Sequence, residues 1–418
     1  MIYIHIPYCR SFCTYCDFYS EVASKCSTYG GYAEALSAEI AARSEEIREN
    51  IGGPSGVDTL YIGGGTPSVL PLHVFESVLD SLSRAGCTGP FREFTVEVNP
   101  EDIVEKGPQY VEGLLKLGVN RVSMGVQSFD DSILKWMNRR HDSARAVQAY
   151  SILEECGVEN ISIDLIFGLP QLSSEAWEAG LEKALSISRT GRMPKHISSY
   201  QLSVEDGSAL AALAAQGRWM EATDEVCAQQ YDSLCEVLRD AGYHHYEISN
   251  FAQPGYEAVH NSAYWRHVPY VGLGPGAHSC MPASRCAAET PSRLSWASPP
   301  VREWEDDPST QLASPVGKYI RQWNKSDLGA YIEAGKRGDF AKVCCGEVLT
   351  EEQVVLERVM LGLRTSEGLP AAFLTEHCDE AALSEALRCG NLCRLPDARV
   401  RIPESKFFIS DSIISSLV

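Results

Sequence analysis

The chain has 418 residues, a formal net charge of −20 and a pI of about 5.0, which argues against nucleic-acid binding because that needs a basic face. This length favours two domains, or one large barrel with an appendage, and the 44% hydrophobic and 22% charged content is ordinary for a globular protein with a large core. Because no apolar run reaches about 18 residues, no membrane-spanning helix is predicted.

The first predicted element is an extended apolar run over residues 2–7, which leads into a loop with Cys9, Cys13 and Cys16. Three thiolates this close in sequence could hold one face of a four-iron cluster and leave one iron open to another ligand. A zinc site is an alternative, although zinc normally takes a fourth Cys or His and none follows at the usual spacing. Plain reduced thiols are a second alternative. The spacing favours a cluster.

The remaining twelve of the fifteen cysteines are scattered, and we interpret them as small buried side chains or idle thiols. The adjacent pair Cys344 and Cys345 has no partner at metal-binding spacing. Because the cysteine loop starts at the very N-terminus of the sequence, we expect no signal peptide before it. Reduced thiols and a cluster both suit a reducing compartment, so we expect a cytoplasmic protein.

Strands and helices then alternate along the chain. Beyond the first apolar run, strands are predicted at residues 57–62, 94–98, 121–126, 161–167 and 196–204, and helices at 31–50, 71–85, 104–117, 143–156 and 174–186. About six strand–helix repeats indicate βαβ units and a parallel sheet, with near-continuous apolar strands covered on both faces. We therefore predict an α/β fold, a partial open (β/α)6 barrel from residue 1 to about 300.

Glycines and polar residues gather where the predicted strands end, at residues 63–66 and at Glu97, Gln127 and Asp164. In barrels of this kind the site lies at the carboxyl ends of the strands, and the cysteine loop falls on the same rim. The glycine loop lacks the lysine and the spacing of a P-loop, but its bare backbone could approach a small ligand such as an amino acid. An ordinary strand-end turn is the alternative. We expect a side chain at Gly64 to weaken ligand binding with little effect on the fold.

The later part of the chain is predicted to add a β extension and a second domain. A helix at 222–241 and a strand at 246–251 precede the motif His-Asn-Ser-Ala-Tyr-Trp at 260–265, and residues 283–317 are interpreted as an irregular connection. Helices near 328–337, 351–363 and 381–389 and strands at 400–402 and 407–409 belong to a helix-rich domain, residues 301–418. A winged helix is one candidate topology for it, and the acidity of the chain argues against DNA binding.

Five segments resemble the radical S-adenosylmethionine enzymes. They are the cysteine loop, Gly-Gly-Gly-Thr-Pro at 63–67, Val-Glu-Val-Asn-Pro at 96–100, Met-Gly-Val-Gln-Ser-Phe at 124–129 and Asp-Leu-Ile-Phe-Gly-Leu-Pro at 164–170. More narrowly, they are similar to the branch that holds oxygen-independent coproporphyrinogen III dehydrogenase and the heme chaperones, and the similarity extends over nearly the whole chain. One departure is Gln171, which directly follows the last proline and makes that rim loop one residue shorter.

The resemblance implies a [4Fe-4S] cluster on Cys9, Cys13 and Cys16, with S-adenosylmethionine on the remaining iron. By the motifs of the family, the contacts to S-adenosylmethionine come from Tyr3, Tyr15, Gly64, Gly65, Thr66, Glu97, Gln127, Arg139 and Asp164. An arginine fork suits the carboxylate of the cofactor. Arg140 is an equal candidate for that role, and a plain surface cation is the alternative for Arg139. No catalytic side chain is assigned.

Two departures from the dehydrogenases favour the heme chaperones. The dehydrogenases carry a further cysteine two residues after the third, where this chain has Phe18. They also have an N-terminal extension, whereas only eight residues precede Cys9. Both features match the chaperone side of the branch.

The motif at 260–265 resembles the H-N-x-x-Y-W motif of the heme chaperones, which implies heme contacts from His260, Asn261, Tyr264 and Trp265. Imidazole is a usual axial ligand of heme iron, and flat aromatic rings pack on a macrocycle. The alternative is an ordinary core cluster with a hydrogen-bonded histidine. Rival heme ligands are His5, His196, His244, His245 and His278.

These features favour a heme chaperone that carries a three-cysteine [4Fe-4S] cluster with S-adenosylmethionine, binds heme and hands it to an acceptor protein. The alternative is a radical S-adenosylmethionine enzyme that acts on a porphyrinogen, with the cofactor performing the chemistry. A zinc-bearing structural protein is a third class. The expected partners are heme, a heme acceptor and a reductant for the cluster, without nucleic acid, and peripheral membrane association is compatible with the sequence.

Overall fold

The computed structural model describes residues 1–23, 27–50, 58–282 and 319–418, and these fall into two compact units. Unit 1 comprises Met1–Cys9, Tyr19–Phe94 and His267–Glu357, and unit 2 comprises Arg10–Phe18, Thr95–Arg266 and Arg358–Val418. The irregular connection expected at 283–317 and the boundary expected between residues 300 and 301 lie outside the described residues.

The strands of the described residues, labelled in chain order, are β1 (Ile2–Ile6), β2 (Tyr8–Cys9), β3 (Glu21–Val22), β4 (Thr59–Gly64), β5 (Glu93–Val98), β6 (Arg121–Gln127), β7 (Asn160–Phe167), β8 (His196–Gln201), β9 (His244–Glu247), β10 (Asn250–Ala252), β11 (Val271–Leu273), β12 (His278–Pro282), β13 (Tyr319–Asn324), β14 (Cys344–Leu349), β15 (Leu369–Pro370), β16 (Cys393–Arg394) and β17 (Arg399–Arg401).

The α-helices, labelled in the same way, are α1 (Ser27–Ala42), α2 (Ser44–Asn50), α3 (Leu72–Arg84), α4 (Pro100–Lys106), α5 (Pro108–Lys116), α6 (Asp131–Trp136), α7 (Ser143–Glu155), α8 (Ser174–Leu185), α9 (Ala209–Ala215), α10 (Asp224–Asp240), α11 (Val259–Trp265), α12 (Leu328–Arg337), α13 (Glu351–Leu363), α14 (Ala371–His377), α15 (Glu380–Arg388) and α16 (Ser410–Ser415). Over the described ranges, no helix has both the length and the apolar character that crossing a bilayer requires.

Unit 1 is organised around three parallel strands. β1 lies between β11 and β4, with Ile2 opposite Val271 on one side and Leu60 on the other. α1 packs against α3 and α12, and a second, antiparallel sheet runs in the order β12–β13–β14. The apolar run predicted at 2–7 is therefore a buried strand with a neighbour on each side.

A buried carboxylate ties the late segments of unit 1 to its first helix. Glu39 of α1 accepts hydrogen bonds from Tyr331 Oη at 2.6 Å and from Asn324 Nδ2 at 2.8 Å. It also accepts one from Gly274 N at 2.9 Å and pairs with Arg43 at 3.2 Å. Because a buried carboxylate needs such partners, α12 and β13 are fixed to α1 and to the chain that follows β11.

Unit 2 contains the parallel run β5–β6–β7–β8, which continues through antiparallel β10 to β9. α4 packs against α7, and α10 packs against α8 and β7. Each of the four parallel strands is followed by at least one helix. This is the strand–helix alternation that the sequence predicted.

The expectation of near-continuous apolar strands is wrong for unit 2. Val122, Met124 and Val126 of β6 alternate with Arg121, Ser123, Gly125 and Gln127. β5 and the first five residues of β7 show the same alternation, and the register places Ser123 opposite Ser162 and Gly125 opposite Asp164. Because successive side chains of a strand point to opposite faces, one face of this sheet is apolar and the other is polar.

Several predicted elements have different bounds in the structure. The helix predicted at 104–117 is two helices, α4 and α5, because Gly107 adopts a positive φ of 69° and Pro108 begins a new helix. The strand predicted at 246–251 is the pair β9 and β10, which form an antiparallel hairpin.

The last part of unit 2 is rich in helices, as predicted. It contains α14, α15 and α16 and a small antiparallel sheet in the order β15–β17–β16, with Val400 opposite both Leu369 and Arg394. The strand predicted at 407–409 is wrong, because these residues belong to a 3-10 helix, Glu404–Ile409. Whether residues 301–418 form a domain of their own stays a prediction.

Candidate functional site

The loop after β4 and the strand that carries Cys9 are joined by short backbone contacts in unit 1. Gly65 N donates to Ile6 O at 2.8 Å, and Thr66 N donates to Tyr8 O at 2.7 Å. The Thr66 hydroxyl oxygen lies 3.4 Å from Cys9 Sγ. A Cβ on Gly65 would stand 2.7 Å from Tyr8 O, so this approach requires glycine. The structure therefore brings Gly65 and Thr66 to the first cysteine.

Gly64 is fixed by its own conformation and by a histidine. Its φ is +106°, and a Cβ there would stand 2.6 Å from the His5 ring. Tyr3 Oη lies 3.0 Å from Nδ1 of the same ring, and its Nε2 lies 2.7 Å from Tyr19 O. The expectation that a side chain at Gly64 would have little effect on the fold is therefore wrong, because glycine is required there by backbone geometry and by close packing.

In unit 2, Arg139 is the main partner of the second cysteine. Arg139 Nη1 donates to Cys13 Sγ at 3.5 Å, and its Nη2 donates to Gly125 O at 2.6 Å and Asn99 Oδ1 at 2.8 Å. Its Nε is buried without a hydrogen-bond partner among the described residues. A half-buried guanidinium with one unpaired buried donor is suited to receive an anionic group.

The segment between the second and third cysteines is also held by its backbone. Thr14 N donates to Met137 O at 3.1 Å, and the Thr14 hydroxyl donates to Trp136 O at 2.9 Å. Burial raises the pKa of Tyr15 above its usual range, so it remains a neutral phenol. Cys13 and Cys16 are half-buried reduced thiols in this segment. Tyr15 therefore lies between two predicted cluster ligands.

The end of β6 is irregular at the position of Gln127. Gln127 has a positive φ of 67°, and the register against β7 shifts between Gly125 and Gln127. A Cβ on Gly125 would meet Gln127 Nε2 at 2.8 Å, Asn99 Oδ1 at 3.3 Å and Arg139 Nη2 at 3.4 Å. Bulges of this kind re-aim side chains near sites. The structure thus gathers predicted Gln127 and Arg139 around Gly125 and Asn99, to which the sequence analysis gave no role.

Asp164 lies among serines on the polar face of unit 2. The Ser123 hydroxyl donates to its two carboxylate oxygens at 3.1 and 3.0 Å, and the Ser162 hydroxyl lies 3.5 Å from Oδ1. Burial raises the pKa of Asp164, while hydrogen bonds from the serines, Ser198 included, act against that shift. Predicted Glu97 shares this face, since it pairs in register with Ser123. The period-2 alternation of polar residues in β6 and β7 is the signal that could have identified Ser123 and Ser162.

The motif at 260–265 forms α11, and its histidine is turned inward. His260 is 1% exposed, and its Nε2 lies 3.0 Å from Tyr264 Oη with the two rings edge to face at 5.0 Å. Burial lowers the pKa of His260 to about 3, so the imidazole is neutral. Asn261, Tyr264 and Trp265 are half-buried. The helix therefore offers surface at these three residues rather than at His260.

Two of the five rival histidines are exposed. His244 of unit 2 pairs with Glu257 at 3.3 Å, and His278 of unit 1 stacks on Trp323 with ring centroids 5.8 Å apart. The other three, His5, His196 and His245, are 0–6% exposed. No three His, Cys, Asp or Glu side chains of the described ranges are arranged to hold one metal ion.

Comparison with known proteins identifies relatives of the chain. Residues 3–184 match the Radical SAM superfamily. The heme chaperone HemW of Synechocystis is 37% identical over 288 residues, which are 68% of this chain and 66% of that protein, so the chain spans just under two thirds of this curated relative. The heme chaperone HemW of Bacillus subtilis is 32% identical over 370 residues, with 88% of this chain and 84% of that protein covered.

A solved structure, coproporphyrinogen III oxidase (HemN) from Escherichia coli, is described as a radical SAM enzyme. It resembles this chain with a TM-score of 0.71 at 19% identity, over 99% of this chain and 89% of that one. At this identity the likeness concerns the fold alone. It confirms the predicted α/β fold with a mostly parallel sheet.

Proposed function

The chain belongs to the HemW family of radical S-adenosylmethionine proteins, and from that premise we propose that it binds heme and transfers it to an acceptor protein. The relatives from Synechocystis and Bacillus subtilis carry the name heme chaperone. The structural observation that carries the proposal is α11, which presents half-buried Asn261, Tyr264 and Trp265 on a helix anchored by buried His260.

The proposed cofactors are a [4Fe-4S] cluster and S-adenosylmethionine. Cys9, Cys13 and Cys16 carry reduced thiols and would hold the cluster, which supplies one-electron chemistry and an iron open to the cofactor. In unit 1 the backbone of Gly65 and Thr66 lies beside Cys9, as a site for the methionine end requires.

In unit 2 the Arg139 Nε, which has no hydrogen-bond partner among the described residues, would bind the carboxylate of S-adenosylmethionine. Asp164 and Glu97 on the polar face would accept from ribose hydroxyls, and Gln127 would meet the amino acid end. Tyr3 and Gly64 support these groups through their close approach to His5, and Tyr15 lies between Cys13 and Cys16 in the chain. A zinc site in the cysteine loop is the weaker alternative, because membership of the family favours the cluster.

For heme, the half-buried faces of Tyr264 and Trp265 would pack on the macrocycle. His260 stays a candidate for the axial ligand, but ligation through Nε2 would replace its contact with Tyr264. A second role for His260 is to orient Tyr264. Among the rival histidines, exposed His244 and His278 could reach a ligand without such a change.

A coproporphyrinogen dehydrogenase is the second candidate function. The fold likeness to coproporphyrinogen III oxidase is compatible with it, but Phe18 stands where the dehydrogenases carry a cysteine. Phe18 is 67% exposed, so its side chain supplies neither a thiolate nor tight packing beside the cysteine loop. We therefore place this activity second.

The heme acceptor and the reductant for the cluster are further parts of the proposal, as is a cytoplasmic location, with peripheral membrane association compatible with it. We also retain the division into a radical S-adenosylmethionine core with a β extension, residues 1–300, and a helix-rich domain, residues 301–418. The polar face of unit 2 supports the first of these domains as the one that holds the cofactors.

The test is anaerobic reconstitution with iron and sulfide, followed by a heme titration that is read by the Soret band. The same protein is incubated with S-adenosylmethionine, a reductant and coproporphyrinogen III, and the products are separated. We expect heme binding and no protoporphyrinogen IX. Turnover of the porphyrinogen, or no Soret shift on adding heme, would contradict the proposal.

His260→Ala refines this test. We expect a changed Soret spectrum or at least a tenfold weaker heme affinity, since about 1.4 kcal/mol of lost contact gives that factor. His73→Ala, at an exposed position of α3, is the matched control and should behave as the parent. If His260→Ala leaves the heme spectrum unchanged, His244→Ala and His278→Ala decide between the exposed rivals.

A further inference from the structure

Beyond the proposed cofactor contacts, a fully buried histidine links two parts of unit 2. His196 begins β8 and is 0% exposed. Its Nδ1 lies 2.8 Å from Ser162 Oγ, and its Nε2 lies 2.7 Å from Tyr246 Oη. Both ring nitrogens are therefore engaged, which fixes the orientation of the ring.

The two hydrogen-bond partners of His196 connect it to Asp164 on one side and to the start of α11 on the other. Ser162 Oγ lies 3.5 Å from Asp164 Oδ1, and Asp164 is the proposed ribose contact. At the other end, Tyr246 Oη accepts a hydrogen bond from Ala258 N at 3.3 Å. Ala258 is the N-cap residue of α11, the helix that carries the heme motif. One chain of hydrogen bonds thus runs from Asp164 to the start of α11.

A donor atom can be assigned in each of these hydrogen bonds. Burial, with a smaller contribution from the Arg121 charge, lowers the pKa of His196 well below its usual range, so the ring is neutral with one donor and one acceptor nitrogen. We assign the protons with Asp164 ionised, so that Ser162 donates to the carboxylate at 3.5 Å and accepts from His196 Nδ1–H at 2.8 Å. Nε2 is then the acceptor for the Tyr246 hydroxyl. All donors point towards Asp164.

We propose that His196 is a positioning residue that couples the S-adenosylmethionine contact at Asp164 to the heme helix α11. This inference rests on the proposed function. A ligand hydroxyl on Asp164 competes with Ser162 for the carboxylate, and the 3.5 Å contact is the longest in the chain and the most easily changed. A change there shifts the hydrogen bond to His196, then the one to Tyr246, and finally the anchor at Ala258.

Coupling of two ligands is reciprocal, so heme affinity is measured by Soret titration with and without S-adenosylmethionine on the reconstituted protein. Calorimetry measures the affinity for S-adenosylmethionine with and without heme. We expect the two ratios of dissociation constants to agree and to lie in the range of about 5 to 150. Ratios of one in the parent overturn the inference and leave the proposed function standing. Absence of heme binding overturns both.

The matched variants remove one buried hydroxyl each. Tyr246→Phe removes the hydroxyl that is hydrogen-bonded to His196 and to Ala258 N. Tyr243→Phe removes a hydroxyl that donates to Pro194 O and takes no part in this series of hydrogen bonds. We expect Tyr246→Phe to bring the coupling ratio to within about twofold of one, and Tyr243→Phe to keep the parent value. Ser162→Ala removes the hydroxyl between His196 and Asp164, and it should lower the coupling ratio as Tyr246→Phe does. If Tyr246→Phe and Ser162→Ala both retain the parent ratio, the coupling does not pass through His196.

A second measurement needs neither cofactor nor heme. In protein labelled with 15N-histidine, the nitrogen shifts report which ring nitrogen carries the proton, and His196→Gln assigns the signal. We expect neutral His196 with the proton on Nδ1, and a shift of its Nε2 signal in Tyr246→Phe. A proton on Nε2 would reverse the chain and overturn the inference.

Discussion

Arg139 meets both the cysteine loop and the backbone of β6. Two of its nitrogens hold Cys13, Asn99 and Gly125 O, which leaves Nε as a buried donor with no partner in the described part of the chain. A buried donor without a partner costs about 1–3 kcal/mol. A carboxylate that bound at Nε would remove this cost. The surface-cation alternative does not fit a half-buried guanidinium whose Nε is buried.

At the residue scale, we predict that Cys9→Ala removes the cluster. One of the three thiolates is lost, and the neighbouring Thr66 hydroxyl, 3.4 Å from Cys9 Sγ, cannot replace it as a ligand. After anaerobic reconstitution, iron content should fall from about four per chain towards zero, and the broad iron–sulfur absorption should disappear.

Cys344→Ala is the control, because Cys344 is a half-buried thiol outside the loop whose Sγ lies 3.6 Å from Cys345 O. It should keep its iron and its absorption. Unchanged iron content in Cys9→Ala would exclude Cys9 as a ligand.

At the scale of elements, the backbone conformation at the end of β4 and at the end of β6 has a different cause in each unit. In unit 1 the β4 end is shaped by glycine, because Gly64 and Gly65 lie against His5 and Tyr8 O. In unit 2 the β6 end is shaped by the register shift after Gly125, which puts Gln127 at a positive φ. Backbone strain at a non-glycine residue costs about 1–3 kcal/mol and persists where the surroundings demand it, so the Gln127 conformation supports a role in binding.

Gly64→Ala should destabilise the protein by about 1–3 kcal/mol, because the φ of +106° disfavours a side chain and the new Cβ would stand 2.6 Å from His5. Chemical denaturation measures the change. Gly180→Ala in α8 is the control, since no atom lies within 4 Å of its Cβ position, and it should stabilise by about 0.5–1 kcal/mol. Equal stability of Gly64→Ala and the parent would restore the original expectation for this loop.

At the scale of the whole molecule, one buried acid should make stability depend on pH. Glu247 is 0% exposed and accepts hydrogen bonds from Asn250 Nδ2 and from Ser249 N at 3.1 Å. Burial raises its pKa from 4.5 to about 7, although the hydrogen bonds oppose the shift. Since the folded state binds this proton more tightly, the stabilisation is fully present below pH 4.5 and is lost as the pH rises through 7.

We therefore predict that Glu247 alone removes about 3 kcal/mol of the free energy of unfolding between pH 4.5 and a pH well above 7. Glu247→Gln should flatten the pH dependence over this interval, as measured by denaturation at a series of pH values. Glu236→Gln, at an exposed position of α10, should keep the slope of the parent. The prediction fails if Glu247→Gln retains that slope.

The sequence by itself determined the features that depend on residues close together in the chain. The spacing of Cys9, Cys13 and Cys16, the alternation of strands and helices and the motifs at strand ends are contiguous patterns, so they indicated the family and the α/β fold before any contact was known. The comparisons confirm both. The strand ends also identified Glu97, Gln127 and Asp164 as candidates, and the resemblance to the family added Arg139, although their roles as ligands of S-adenosylmethionine stay predictions.

Only the tertiary structure decided what depends on residues far apart in the chain. Packing alone explains four features. They are the close approach of Gly64 to His5, the unpaired Nε of Arg139, the burial of His260 and the hydrogen bonds through His196. Sequence periodicity could show that β6 and β7 have a polar face, but not which serine meets which carboxylate. The physical reason is that hydrogen bonds and burial join positions tens of residues apart, and local propensity carries no record of those pairings.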